Sequence, residues 1–175
     1  MYGYGGQGVT RAARILSRAG MLSGFKAQDF SVSAEWGMFS AGFVRLSKND
    51  IMETGIIEHP DYIIVLEHSA MPKFSELKEN SFLIVNATEK PSNPLLKKKK
   101  VKAYYIDAEK ISRAYGVKPN TAMLGSLIKF FSKISMRNLK LAIETELQGA
   151  DATEGRQAVV KENQTAAEEG FKTVR

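Results

Sequence analysis

The sequence predicts an α/β fold: one domain on a largely parallel sheet flanked by helices, followed by a C-terminal helical tail. Three observations carry this. "DYIIVLE" (Asp61–Glu67), "SFLIVNA" (Ser81–Ala87) and "VKAYYID" (Val101–Asp107) are short apolar runs rich in β-branched and aromatic residues, the pattern of strands covered on both faces. Stretches of helical periodicity stand among and after them, the alternation that produces parallel sheets. "GYGGQGVTRAARILSRAG" (Gly3–Gly20) runs a glycine loop directly into an amphipathic helix. With 175 residues, 43% of them hydrophobic, the chain has room for one ordinary core.

Each element follows in chain order. Only Met1 and Tyr2 precede Gly3, so no strand is expected ahead of the loop. After Gly8, apolar Val9, Ala12, Ala13, Leu16 and Ala19 recur at helical steps, with Arg11, Arg14 and Arg18 between them. Phe25–Val32 and Ala41–Ser47 read as strands, before the buried strand at Asp61–Glu67. Pro72–Lys78 reads as a short helix opened by its proline. Strands at Ser81–Ala87 and Val101–Asp107 come next, then a helix Ala108–Tyr115 stopped by Gly116. Asn120 is expected to cap a helix reaching about Phe131, and Ser135 one reaching Leu147. "QGADATEG" (Gln148–Gly155) is a linker, so the α/β domain spans 1–148 and the linker with its helix 149–175. The tail Arg156–Val174 carries few large apolar anchors, so it lies across the body or reaches a partner.

Composition excludes several chemistries. There is no cysteine, hence no disulfide, no cysteine-held iron–sulfur cluster and no thiolate zinc site. His59 and His68 are isolated and read as structural or solvated. The net charge is +6, but Lys97, Lys98, Lys99, Lys100 and Lys102 supply most of it. That run has no interleaved aromatics and reads as a solvated loop leading into a strand, not a nucleic-acid footprint. No apolar run reaches membrane length and no leader precedes the loop, which places the expected location in the cytoplasm.

Gly3, Gly5 and Gly8 fit the spacing G-x-G-x-x-G. A glycine loop entering a helix presents free N–H groups and a positive dipole end, which suits an anion. In a dinucleotide site the ribose acid about 20 residues on would be Asp29. The competing reading of the glycines is tight strand–helix packing. No nucleophile elbow and no paired carboxylates occur, and Val9 and Thr10 follow Gly8 where a P-loop needs Lys and Ser or Thr. No catalytic residue and no metal ligand is assigned. In "SAEWGMFSAGF" (Ser33–Phe43), Trp36, Met38 and Phe39 keep no clean strand period, and read either as an interface or ligand rim or as local core.

The run Gly3, Gly5, Gly6, Gln7, Gly8, Val9, with the helix after it, resembles the gamma subunit or gamma domain of 2-oxoacid:ferredoxin oxidoreductases. "HPDYIIVLE", "NTAMLGSL" (Asn120–Leu127) and "KENQTAAEEGF" (Lys161–Phe171) resemble later segments of that family in the same order, so the likeness covers nearly the whole chain. It implies a single Rossmann-like domain. Two departures stand out: family members carry a strand before the loop, and Glu-x-Arg-Gly-Gly where this chain has Glu35 followed by "WGMFSAG". The Gly-Met pair is similar to the related indolepyruvate enzymes, which leaves the 2-oxoacid open (pyruvate, 2-oxoglutarate, ketoisovalerate or indolepyruvate). The resemblance implies oxidative decarboxylation of a 2-oxoacid to an acyl-coenzyme A, with electrons passed to ferredoxin. It places thiamine diphosphate, magnesium and iron–sulfur clusters in alpha, beta and delta-type partner subunits. The absence of cysteine and of a Gly-Asp metal-holding pair agrees with that division. This chain would then be inactive alone, hold coenzyme A phosphates at Gly3, Gly5, Gly6, Gln7, Gly8 and Val9, and pair with a second copy when its partners are absent. The alternative from another class is a free-standing dinucleotide-binding protein.

Overall fold

In the computed structural model, which describes residues 1–32, 37–148 and 154–175, six strands form one sheet. They are β1 (Tyr2–Tyr4), β2 (Lys26–Val32), β3 (Phe39–Ser47), β4 (Tyr62–Val65), β5 (Phe82–Asn86) and β6 (Lys102–Ile106), in the order β2-β3-β1-β4-β5-β6. β1, β4, β5 and β6 pair in parallel, and β3 runs antiparallel to both β1 and β2. The helices are α1 (Val9–Leu22), α2 (Pro94–Lys98), α3 (Ala108–Tyr115), α4 (Asn120–Phe130), α5 (Met136–Gln148) and α6 (Glu154–Thr173).

The fully apolar strands became central ones. Ile63, Ile64, Val65, Leu83, Ile84 and Val85 are all buried, as strands flanked on both faces require. One face carries the main core, where α1 brings Val9, Ile15 and Leu16 against Ile64 and Ile84, and α4 brings Met123, Leu124 and Leu127. The other face is covered over β4, β5 and β6 by Leu77 and Leu96.

Several sequence expectations change. A strand does precede the loop: β1 includes Gly3 itself and pairs with both β3 and β4. Three residues suffice because neighbours on both sides supply the hydrogen bonds a lone short strand lacks. Pro72–Lys78 is not a helix; only a 3-10 turn at Phe74–Glu76 forms. Its carbonyls are taken elsewhere, since the Lys99 ammonium binds the carbonyl oxygens of Ser75 and of Leu77 (2.6 Å), and Leu77 turns inward. The lysine run is solvated and leads into β6 as expected, with Lys97, Lys98, Lys100 and Lys102 exposed, but it is not all loop: Lys97 and Lys98 end α2, and the Lys102 ammonium lies 4.8 Å from the Phe82 ring centre. Asn120 is the first residue of α4 and does not cap it. Ser135 does cap α5, its hydroxyl accepting the Asn138 N–H at 3.1 Å.

The tail takes the first of its two expected places, across the body, by contacts the sequence did not signal. α6 packs against α4 through small residues, and Val160, Asn163, Ala166, Ala167, Gly170 and Val174 lie against the body. At Gly125 of α4 a methyl group would stand 1.8 Å from the Ala167 carbonyl oxygen, and at Gly170 of α6 one would stand 2.0 Å from that of Ala122. Backbones this close gain dispersion contacts that large anchors supply elsewhere. Lys140 adds an ion pair with Glu168 at 2.8 Å, and Arg175 exchanges both backbone hydrogen bonds with Tyr105 on the outer edge of β6. A count of large apolar residues therefore missed what holds α6.

Candidate functional site

The glycine loop sits where β1 ends and α1 begins. The Gly5 N–H donates to the Met38 carbonyl at 2.7 Å, and a turn closes by the Gln7 N–H donating to Tyr4 at 3.1 Å. The Gln7 side-chain oxygen accepts the Tyr4 N–H at 2.8 Å, so this polar side chain braces the loop. Gly6 and Gly8 take φ of 95° and 85°, a region where an L side chain is strained, and Gly8 is the residue that precedes α1.

α1 opens with no side-chain cap and no acid in its first turn. The Ala12 N–H is the first to bond back, at 2.8 Å to the Gly8 carbonyl. The amides of Val9, Thr10 and Arg11 have no helical acceptor, as at every helix start, and the dipole end there is positive. Arg11 is exposed beside it. The start of α4 closes the other side: the Asn120 amide donates to the Gly8 carbonyl at 3.1 Å, and a methyl on Gly8 would meet Asn120 at 2.5 Å and the Lys118 side chain at 3.5 Å. The arrangement offers backbone donors and cations, and no carboxylate in the first helical turn. It can hold an anion; it contains no nucleophile.

The six predicted residues play two structural parts. Gly3 and Val9 are buried, and Gly3 faces the Gln7 oxygen, Val9 and Leu66. They shape the loop from beneath. Gly5, Gly6, Gln7 and Gly8 are half-buried and form its rim. Asn120 and Lys118 join them from 112 and 110 positions away, which no local spacing could show.

Asp29 does not serve the loop. It pairs with Val44, five positions along β3 from the Phe39 that faces Tyr4. That is roughly 17 Å along the strand at about 3.4 Å per residue, with β3 intervening between β2 and β1. His59 and His68 are both exposed, and His59 lines a cavity at the opposite end of the sheet. Among the described residues no group of three or more His, Cys, Asp or Glu could hold a metal, and no helix is long and apolar enough to cross a membrane.

Glu35, Trp36 and the rest of 33–36 lie outside the described residues, as do 149–153 of the linker. Of the aromatic patch, Met38 (59% exposed) and Phe39 (48%) face outward beside Phe30 (42%) and Val32 (43%), while Phe43 turns inward. Tyr2 and Phe39 approach with ring centres 6.2 Å apart. Burial raises the Tyr2 hydroxyl above its ordinary pKa, with a smaller push from the Glu76 carboxylate.

Comparison with known proteins bears on this site. Residues 1–173 match the family described as pyruvate ferredoxin/flavodoxin oxidoreductase. The chain is 32% identical over 184 residues to the "Pyruvate/ketoisovalerate oxidoreductases common subunit gamma" of Thermococcus kodakarensis, covering 99% of this chain and 95% of that one. Among solved structures, pyruvate oxidoreductase subunit PORC of Thermotoga maritima superposes with a TM-score of 0.78 at 24% identity, covering 99% of this chain and 94% of the other. The 2-oxoglutarate:ferredoxin oxidoreductase of Magnetococcus marinus, determined with 2-oxoglutarate, coenzyme A and succinyl-CoA bound, superposes with a TM-score of 0.79 at 19% identity. There the match covers 98% of this chain and 29% of that much longer one.

Proposed function

The chain belongs to the pyruvate ferredoxin/flavodoxin oxidoreductase family, as the gamma subunit of a multi-subunit 2-oxoacid oxidoreductase, and we propose that its glycine loop receives the phosphates of coenzyme A. One observation carries the reading: an uncapped first turn of α1, with Arg11 on it and the Lys118 side chain beside Gly8, and no acid in that turn to oppose an anion. The Magnetococcus relative, which shares the fold, was determined with coenzyme A bound, which supports the choice of anion. Decarboxylation and electron transfer require thiamine diphosphate, magnesium and iron–sulfur clusters. This chain has no cysteine to hold a cluster, so alpha, beta and delta-type subunits carry those groups and ferredoxin meets the assembled complex in the cytoplasm. The free-standing dinucleotide reading loses its ribose partner once Asp29 lies on the far side of β3.

The test uses the chain alone and reassembled with its neighbouring-gene subunits. The isolated chain is expected to oxidise neither pyruvate nor 2-oxoglutarate. In the complex, Arg11→Ala is expected to raise the KM for coenzyme A several-fold at nearly constant kcat. Turnover by the chain alone, or an unchanged KM alongside micromolar NAD binding, refutes the reading.

A further inference from the structure

A chain of buried polar groups joins the tail helix to the glycine loop. Asn163 of α6 is buried, and its amide donates to the Val159 carbonyl at 2.8 Å. Its side-chain oxygen accepts the Thr121 hydroxyl of α4 at 3.1 Å. The Thr121 N–H in turn donates to the Asn120 side-chain oxygen at 2.9 Å, and the Asn120 amide donates to the Gly8 carbonyl at 3.1 Å. Asn120 and Thr121 are buried as well. All three side chains find partners, as the burial of polar groups demands. Packing alone does not ask for them, since the α4–α6 seam nearby is closed by Ala122, Gly125, Ala167 and Gly170. The start of α4 does need an anchor: Pro119 precedes it and offers no side-chain cap, and an uncapped first turn opens readily.

We propose that Asn163 is a positioning residue for the anion site, which makes the C-terminal helix part of that site; this rests on the reading that the loop receives coenzyme A phosphates. One peptide unit transmits the effect. The Gly8 carbonyl and the Val9 N–H belong to a single plane and point in opposite directions. That carbonyl accepts two hydrogen bonds, one from the Ala12 N–H at 2.8 Å and one from Asn120. Together they pin the plane and aim the Val9 N–H away from Ala12 and Asn120, as a donor at the open start of α1. Gly8 itself resists rotation of the plane little, because glycine populates both signs of φ. The Asn120 amide holds its orientation while the Thr121 N–H engages its oxygen, and Thr121 is tied across the seam to Asn163. Removing the acceptor on α6 loosens the first turn of α4, and the Gly8–Val9 plane then loses one of its two fixed bonds. Asn163 lies outside the loop, so it acts only by setting how well the Val9 N–H meets a phosphate oxygen.

Apolar replacements of matched shape separate this role from packing, with Tm read on the chain alone and KM in the assembled complex. Asn163→Leu and Thr121→Val each leave the other partner buried and unpaired. Each is expected to lower Tm and to raise the KM for coenzyme A about fivefold at nearly constant kcat. The double variant leaves neither group unpaired, so its Tm is expected to return to within about 3 °C of the parent. Its KM is expected to stay about fivefold high, because the tie between α6 and α4 is still missing. Thr121→Ser keeps the hydroxyl, so its KM is expected within about twofold of the parent. With Arg11→Ala raising KM in the same assay, three results would each overturn the role of Asn163 while leaving the phosphate reading in place. These are a KM that rises only where Tm falls, a rise in Thr121→Ser equal to that in Thr121→Val, and a parental KM in every Asn163 and Thr121 variant. A KM left parental by Arg11→Ala would remove the phosphate from the loop and this role with it.

Discussion

Substituting Gly125 by alanine tests the α4–α6 seam. The added methyl would stand 1.8 Å from the Ala167 carbonyl oxygen, 2.6 Å from its carbonyl carbon and 2.9 Å from its Cα. Ordinary contact starts near 3.4 Å, and all three obstacles are backbone, so no rotamer change relieves the clash. The helices must separate by roughly 1.5 Å, and a gap of even 0.5–1 Å forfeits about a quarter to a half of each dispersion contact along the seam. The neighbours are Ala122, Ala166, Ala167 and Gly170, too small to reach across. Overpacking typically costs about 1–3 kcal/mol, and a forced backbone shift puts this case at the upper end, about 3 kcal/mol. For a chain of this size that lowers Tm by roughly 6–12 °C. Thermal unfolding followed by circular dichroism reads the shift, and amide exchange locates it on α6. Gly155→Ala is the control: in the first turn of α6 with nothing within 4 Å, it is expected to be neutral or to stabilise by up to about 1 kcal/mol. A Gly125→Ala protein melting within about 2 °C of the parent would refute the close-packed seam.

The Met1 amine gives a pH dependence. Its pKa falls from 8.0 to about 5 on folding because burial disfavours the charge, so between those values the unfolded chain binds the extra proton and stability is lost on acidification. The loss by pH 5 is on the order of 4 kcal/mol, and N-terminal acetylation should remove that part of the slope in urea midpoints. Gln7→Ala strips the acceptor from the Tyr4 N–H and should cost about 1–2 kcal/mol. Gln7→Glu keeps an acceptor there, so it should recover most of the urea midpoint yet weaken coenzyme A binding by placing a negative charge in the loop; equal binding by both variants would argue against an anion. Phe39→Ser removes an outward ring that is 48% exposed, so it should leave Tm within a few degrees while reducing recovery of the multi-subunit complex by size-exclusion chromatography.

The strands at Ile63–Val65, Leu83–Val85 and the one from Lys102, the helix after Gly8 and the helix ended by Gly116 were legible from residue order alone, because each rests on local periodicity or on a single stop. So was the glycine loop as an anion candidate, since φ and helix-end amides are local properties. Tertiary structure decided the rest. β1 exists because β3 and β4 flank it, so its pairing partners stand 35 to 63 positions away. Asp29 left the site because β3 inserted between β2 and β1, a choice of partner that no spacing encodes. Asn120 turned from a cap into a brace on Gly8 across 112 residues. α6 adheres through Gly125, Ala167, Gly170 and Ala122, whose value depends on two backbones meeting and is invisible in either helix alone. Local sequence sets which residues form a helix, a strand or a loop; the contacts that give Gly3, Asn120 and Gly125 their roles arise only when distant segments share a surface.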